Sequence, residues 1–170
     1  MSTKKTKDRL PGFAGGYLNK IIRVDLTSGT IDIEPLPGPE VLKKFIGCWG
    51  LGLYYLYKMV PPGIRATDPE NPLIFMNGPL TGLNLPGATN MTLSTKNFDT
   101  EFTVGRSHTH GNFGRLLKFA GYDGLIVTGK SDKPVYLWIN NDKIEYRKKH
   151  KEIQNQDNSE YLDWDKALKV

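Results

Sequence analysis

Asn90, Arg106, His108, His110 and Gly111 carry most of the binding chemistry in this chain. An amide, a guanidinium and two imidazoles can hydrogen-bond phosphate oxygens or the polar edge of a heterocycle. Glycine lets the backbone itself approach a ligand closely. On a strand, the i, i+2 spacing of His108 and His110 would put both rings on one face, but no third ligand accompanies them, so no metal site is expected. The plainer role for both is that of a surface or packing histidine. A helix beginning at Gly111 or Asn112 would turn its unpaired N–H groups toward an anion. The sequence has no GxGxxG after a first strand, no GxxxxGK[ST] and no nucleophile elbow, so no catalytic residue is assigned.

These residues need a frame. Leu73–Met76 reads as a strand running into Asn77-Gly78-Pro79, with Asn77 and Thr81 as turn formers. Pro86-Gly87 turns the chain into an alternating run, Asn90–Thr95. Gly105–Gly111 is dense in polar residues and reads as a loop. The helix that follows ends at Gly121, with Arg115 and Lys118 expected on its solvated face, and Leu125–Val127 is a strand. Tyr122 and Asp123 would fix the turn between them.

Upstream, Tyr17–Leu26 and Thr30–Leu36 flank Thr27-Ser28-Gly29, a hairpin pattern. Glu40–Met59 has helical periodicity, but Gly47, Gly50 and Gly52 each cost about 1 kcal/mol against Ala. The spacing therefore predicts a break near GCWG, with Cys48 as a buried thiol and Trp49 as an aromatic plug. Val135–Ile139 and Lys143–Arg147 repeat the hairpin plan, and a short helix is expected over 159–168. The pattern is α+β: twisted antiparallel sheets or a partly closed barrel, two or three helices, and pseudo-duplicated hairpin halves.

The 170 residues allow one domain, placed at 13–147, between a flexible basic arm at 1–12 and a divergent polar tail at 148–170. The net charge of +5 gathers at the ends, in Lys4, Lys5, Lys7 and Arg9 and in Lys148, Lys149 and Lys151. Such clusters read as solvated tails, and no nucleic-acid-binding motif accompanies them. No apolar run approaches the roughly 20 residues of a membrane span. The first residues lack a secretory apolar region, so the expected location is the cytoplasm. A lone Cys48 forms no internal disulfide and cannot hold an iron–sulfur cluster, which needs about four thiolates.

Four stretches, IIRVDLTSGTIDIE, IGCWGLGLYYLYK, DPENPLIFMNGPLTG and LKFAGYDGLIVTGKSDKPVYLWINNDKIEYR, resemble the N-terminal domain of the tungsten-containing aldehyde ferredoxin oxidoreductase family, in order and over about Gly15–Arg147. That family includes the tungsten subunit of class II benzoyl-CoA reductase. The resemblance implies a β-rich base on which a bis-pterin tungsten or molybdenum cofactor lies. It places Asn90 where the family often has a pterin-contacting Arg. His108 and His110 fall where the family has an Asn and a Gly, and Arg106 restores a nearby cation. It implies that iron–sulfur chemistry and the substrate pocket belong to Cys-bearing domains outside this stretch. Activity would then need a larger Cys-rich subunit, or the chain would form a homo-oligomer, a dimer being expected. Phe102, Val104, Phe113, Leu117 and Trp49 are candidates for an apolar contact face. The alternatives are a stand-alone small-ligand or structural module and a truncated, inactive remnant.

Overall fold

A computed structural model of the chain describes residues 15–100 and 102–148. Period-two alternation decides its central layer. In β1 (Ile21–Asp25), Ile21 faces one side while Ile22 and Val24 face the other, all buried. β3 (Leu73–Asn77) and β6 (Gly124–Thr128) also bury side chains on both faces, which places all three strands inside the sheet. With β2 (Thr30–Glu34), β4 (Met91–Lys96) and β5 (Val104–Thr109) the order is β2-β1-β6-β3-β4-β5.

On one face lie α1 (Pro39–Phe45) and α2 (Cys48–Met59). Leu42, Leu51 and Leu56 from these helices meet Ile21, Ile74, Met76 and Ile126 from the strands. On the other face, Leu117 of α3 (Asn112–Phe119) and Tyr122 meet Ile22, Val24, Met91 and Leu125. A separate hairpin, β7 (Val135–Asn140) and β8 (Lys143–Lys148), lays Leu137, Ile139 and Ile144 on this second core.

The class is α+β, and both expected hairpins form. The sheet is open, with β2 and β5 at its edges, rather than a partly closed barrel. Four pairs are antiparallel, but β1 and β6 run parallel. A parallel pair needs a crossover longer than a hairpin loop, and everything from β2 to α3 provides it.

The helical break falls at the GCWG stretch. Ile46 and Cys48 take φ of 58° and 45°, where side chains are uncommon. Gly47 stands between them because a Cβ there would lie 2.8 Å from both the Asn77 carbonyl oxygen and the Gly78 Cα. The joint is thereby pressed against the Asn77–Pro79 turn.

Several expectations change. The first strand begins at Ile21 rather than Tyr17, because Asn19 has φ 61° and the N–H groups of Leu18 and Asn19 donate to Asp123 Oδ2 at 2.8 and 2.7 Å. Lys118 is not solvated: it is 8% exposed, its Nζ 2.5 Å from Asp123 Oδ1 and 2.6 Å from the Gly16 carbonyl. Asp123 therefore anchors the segment before β1 as well as the turn after α3. Asn77 ends a strand, buried, and donates to the Gly114 carbonyl at 3.1 Å. Most of Gly105–Gly111 is strand β5. It reads as a loop because its residues are polar on both sides, the pattern of an edge strand with solvent beside it. The basic arm, His150, residues 149–170 of the tail and the helix expected at 159–168 lie outside the described residues.

Candidate functional site

The β4–β5 register assembles the site. Thr92 pairs with His108 and Ser94 with Arg106, and direct cross-strand partners project to the same face of a sheet. That face is the one α2 covers, since a Cβ on Gly52 of α2 would come within 2.2 Å of Ser94 Oγ. Asn90 and His110 each sit one residue beyond the Met91–Thr109 pair, at the end of the ladder nearest the α1–α2 joint. Asn90, His108 and His110 thus share one end of one strand pair, and Arg106 lies further along it, across from Ser94. Gly111 follows as the residue before α3, with φ 94° and open space where a side chain would be.

Each group is held differently. The Arg106 guanidinium lies 5.0 Å from the centroid of the Trp49 ring, a cation–π contact that presents an exposed charge at the start of α2. His108 Nδ1 is 3.2 Å from the buried Thr92 Oγ1. The Asn90 carbonyl accepts from Thr81 Oγ1 at 3.0 Å and from the Cys48 thiol at 4.0 Å. The side-chain Oδ1 of Asn90 is buried and has no hydrogen-bond partner among the described residues. A buried acceptor left without a donor costs about 1–3 kcal/mol, so one that persists calls for an explanation.

Burial pushes the Cys48 thiol up from its ordinary pKa, while the Thr92 hydroxyl and the Lys118 charge pull it back. The thiol form therefore prevails near neutrality, and Cys48 is not an activated nucleophile. Gly47, the N-cap of α2, has no side chain to cap the helix, so its first N–H groups join the same neighbourhood.

Arg106, His108 and His110 are exposed on an edge strand, so this is a shelf rather than a pocket. A cleft lined by Asn71, Lys96, Phe98, Gly129 and Lys130 opens elsewhere on the molecule and includes none of the shelf residues. Among the described residues no group of three or more His, Cys, Asp and Glu side chains could hold a metal ion. Of the residues expected to line an apolar face, Leu117 is in the core, Val104 packs against the other core and Trp49 lies under Arg106, while Phe102 and Phe113 are 98% and 45% exposed. Thr92 belongs to the shelf without having been singled out, and Trp49, expected on the apolar face, joins it under Arg106. The signal for Thr92 was the alternation of Met91–Lys96, which becomes informative once β5 is recognised as its partner.

Residues 21–166 match the family model described as aldehyde ferredoxin oxidoreductase, N-terminal domain. A tungsten-containing aldehyde ferredoxin oxidoreductase of Pyrococcus horikoshii is 44% identical over 132 residues, 78% of this chain and 21% of the relative. The aliphatic sulfonate oxidoreductase, WOR-like subunit, of Pyrococcus furiosus is 42% identical over 134 residues, 77% of this chain and 21% of that protein. Among solved structures, the active-site complex BamBC of benzoyl coenzyme A reductase has a chain that superimposes with a TM-score of 0.76 at 35% identity, covering 80% of this chain and 20% of that one. The chain spans about a fifth of the length of these relatives. By its sequence over nearly the whole described fold, the chain belongs to the aldehyde ferredoxin oxidoreductase family, in the part that forms the family's N-terminal domain.

Proposed function

We propose that residues 13–147 form the base for a pterin-bound tungsten or molybdenum cofactor, in an oxidoreductase that further polypeptide completes. The observation that carries this reading is the shelf itself. Two imidazoles and an orphaned buried amide oxygen stand at one end of the β4–β5 pair, and one cation lies further along it over Trp49. That donor and acceptor set fits one wall around a polar, anionic heterocycle. Arg106 would balance a phosphate charge, His108 and His110 would hydrogen-bond ring or phosphate atoms, and Asn90 Oδ1 would accept a ring N–H. Gly111 would let backbone and ligand come together without a side chain between them. When bound, such a cofactor supplies the electron transfer that none of these side chains can perform.

A shelf open on one side is completed by another surface. The relatives are about five times as long as this chain. In this reading a larger Cys-rich subunit in the cytoplasm would supply that surface and hold any iron–sulfur cluster. A homo-oligomer is the other arrangement. Oxidation of aldehydes with ferredoxin as acceptor would belong to the assembled protein, not to this chain alone.

The test is anaerobic purification from the native source. Tungsten or molybdenum, a fluorescent pterin after oxidation, and a co-migrating larger chain are the expected outcome. A metal-free and pterin-free protein that never associates with such a chain would overturn the proposal. Thermal stabilisation by simple nucleotides and not by pterins would favour a stand-alone binding module instead.

A further inference from the structure

We propose that Trp49 is a positioning residue: its ring holds the Arg106 guanidinium on the shelf as a preset fork for a phosphoryl group of the ligand. This rests on the reading that the shelf faces a ligand. It deepens that reading by naming the group Arg106 meets and the residue that aims it.

The placement follows from helix and strand geometry. Arg106 enters the strand pair across from Ser94, beyond the Thr92–His108 pair. Ser94 packs against Gly52 of α2. Trp49 stands three residues before Gly52, on the same side of the helix and about 4.5 Å nearer its start. Helix side chains also lean toward that start. The start of α2 is the end nearest Asn90, since Cys48 Sγ lies 4.0 Å from the Asn90 carbonyl oxygen. With its central carbon 5.0 Å from the centroid of the Trp49 ring, the guanidinium is drawn back along the pair toward His108 and Asn90.

Nothing among the described residues calls for a cation there. The positive end of the α2 dipole disfavours one. The first turn of α2 has no acidic residue, and among the described residues no carboxylate or carbonyl oxygen accepts from Arg106. The negative face of the half-buried indole is what offsets this. A ring face has no lone pair to give, so the N–H donors stay uncommitted to any protein oxygen. A guanidinium only donates, and its fork matches two oxygens of one phosphoryl group. Arg106 therefore has nothing to offer the ring N–H of a heterocycle and meets the anionic part of the ligand.

The experiment is a titration of the full chain with inorganic pyrophosphate at low ionic strength. Affinity is read from the backbone amide signals of β5 by NMR, alongside the arginine Nε–H signals, and Arg106→Ala identifies the Arg106 signal by removing it. In the unsubstituted chain that signal should carry the ring-current shift of an aromatic neighbour, kept in Trp49→Phe and lost in Trp49→Leu. Affinity should fall about two- to fivefold in Trp49→Leu, as for an exposed cation–π contact, and stay near the original in Trp49→Phe. In the Arg106→Ala background Trp49→Leu should have no further effect, as a residue acting through Arg106 requires. An Arg106 signal with no ring-current shift overturns the proposal whether or not Trp49→Leu folds. So does an unsubstituted chain that pyrophosphate does not bind, or an equal weakening by Trp49→Leu with and without Arg106. These measurements need no cofactor, so their failure would leave the metal and pterin content of the complex to decide the base reading separately.

Discussion

Lys118 and His108 are both basic, lie ten residues apart and end in opposite circumstances. Lys118 is buried between Asp123 Oδ1 and the Gly16 carbonyl, and the second Asp123 oxygen accepts from Leu18 and Asn19. Every strong group at that junction is answered from within the chain, and what it accomplishes is to clamp the segment before β1 to the end of α3. On the shelf, His108 keeps one nitrogen outward, Arg106 is exposed, and the buried Oδ1 of Asn90 is unanswered. Charge alone therefore does not mark a binding site in this fold. What distinguishes the shelf is polar capacity left over after the chain has satisfied itself.

The sharpest way to break this contrast is to remove the junction's carboxylate. Asp123→Ala would leave the Lys118 ammonium buried and unpaired and would strip two backbone N–H groups of their acceptor. A loss of about 3–5 kcal/mol is expected by urea denaturation. A loss under about 1 kcal/mol would mean the junction is not a clamp, since that is what an exposed pair contributes.

Gly121→Val probes the same junction through the backbone. Gly121 has φ 105° with open space around it, so the cost of a side chain there is conformational strain and not collision. About 1–3 kcal/mol is expected. An unchanged melting temperature would count against this end of α3.

Smaller effects should come from carboxylates at the surface turns. The Arg65 N–H holds the Asp68 carboxyl below the usual range, and the Thr27 N–H, with the Ser28 hydroxyl, does the same for Asp25. Their folded-state values are depressed, so their stabilisation is present above the unfolded value of about 3.9 and is lost as pH falls through the folded one. Denaturation midpoints should decline over that acid window, and Asp68→Asn should flatten the decline. A decline that is equally steep in Asp68→Asn would assign it to other groups.

The smallest effect on stability is expected on the shelf. Arg106→Ala should change it by no more than about 0.5 kcal/mol, as for most surface substitutions. A larger loss would make the Arg106–Trp49 contact part of the framework.

How far the sequence reveals this contrast depends on the residue. The hairpins, the GCWG break and the helix from Asn112 are legible because alternation, glycine and helical spacing are local signals. Lys118 is misleading, since its partners lie at Gly16 and Asp123 and nothing local shows that the chain returns there. β5 reads as a loop because an edge strand need not be apolar on either face. The shelf residues are legible by type, but their assembly depends on the register of β5 against β4. Thr92 becomes part of the site only through that register.

The most direct test of the central claim compares metal content. The complex carrying the unsubstituted chain and one carrying Arg106→Ala with His108→Ala would be purified anaerobically, and tungsten and molybdenum measured per mole. The unsubstituted complex should hold the metal together with pterin, and the double variant should lose most of both at nearly unchanged stability. Equal metal in the two complexes, or none in the unsubstituted one, would contradict the assignment of the shelf as the cofactor's base.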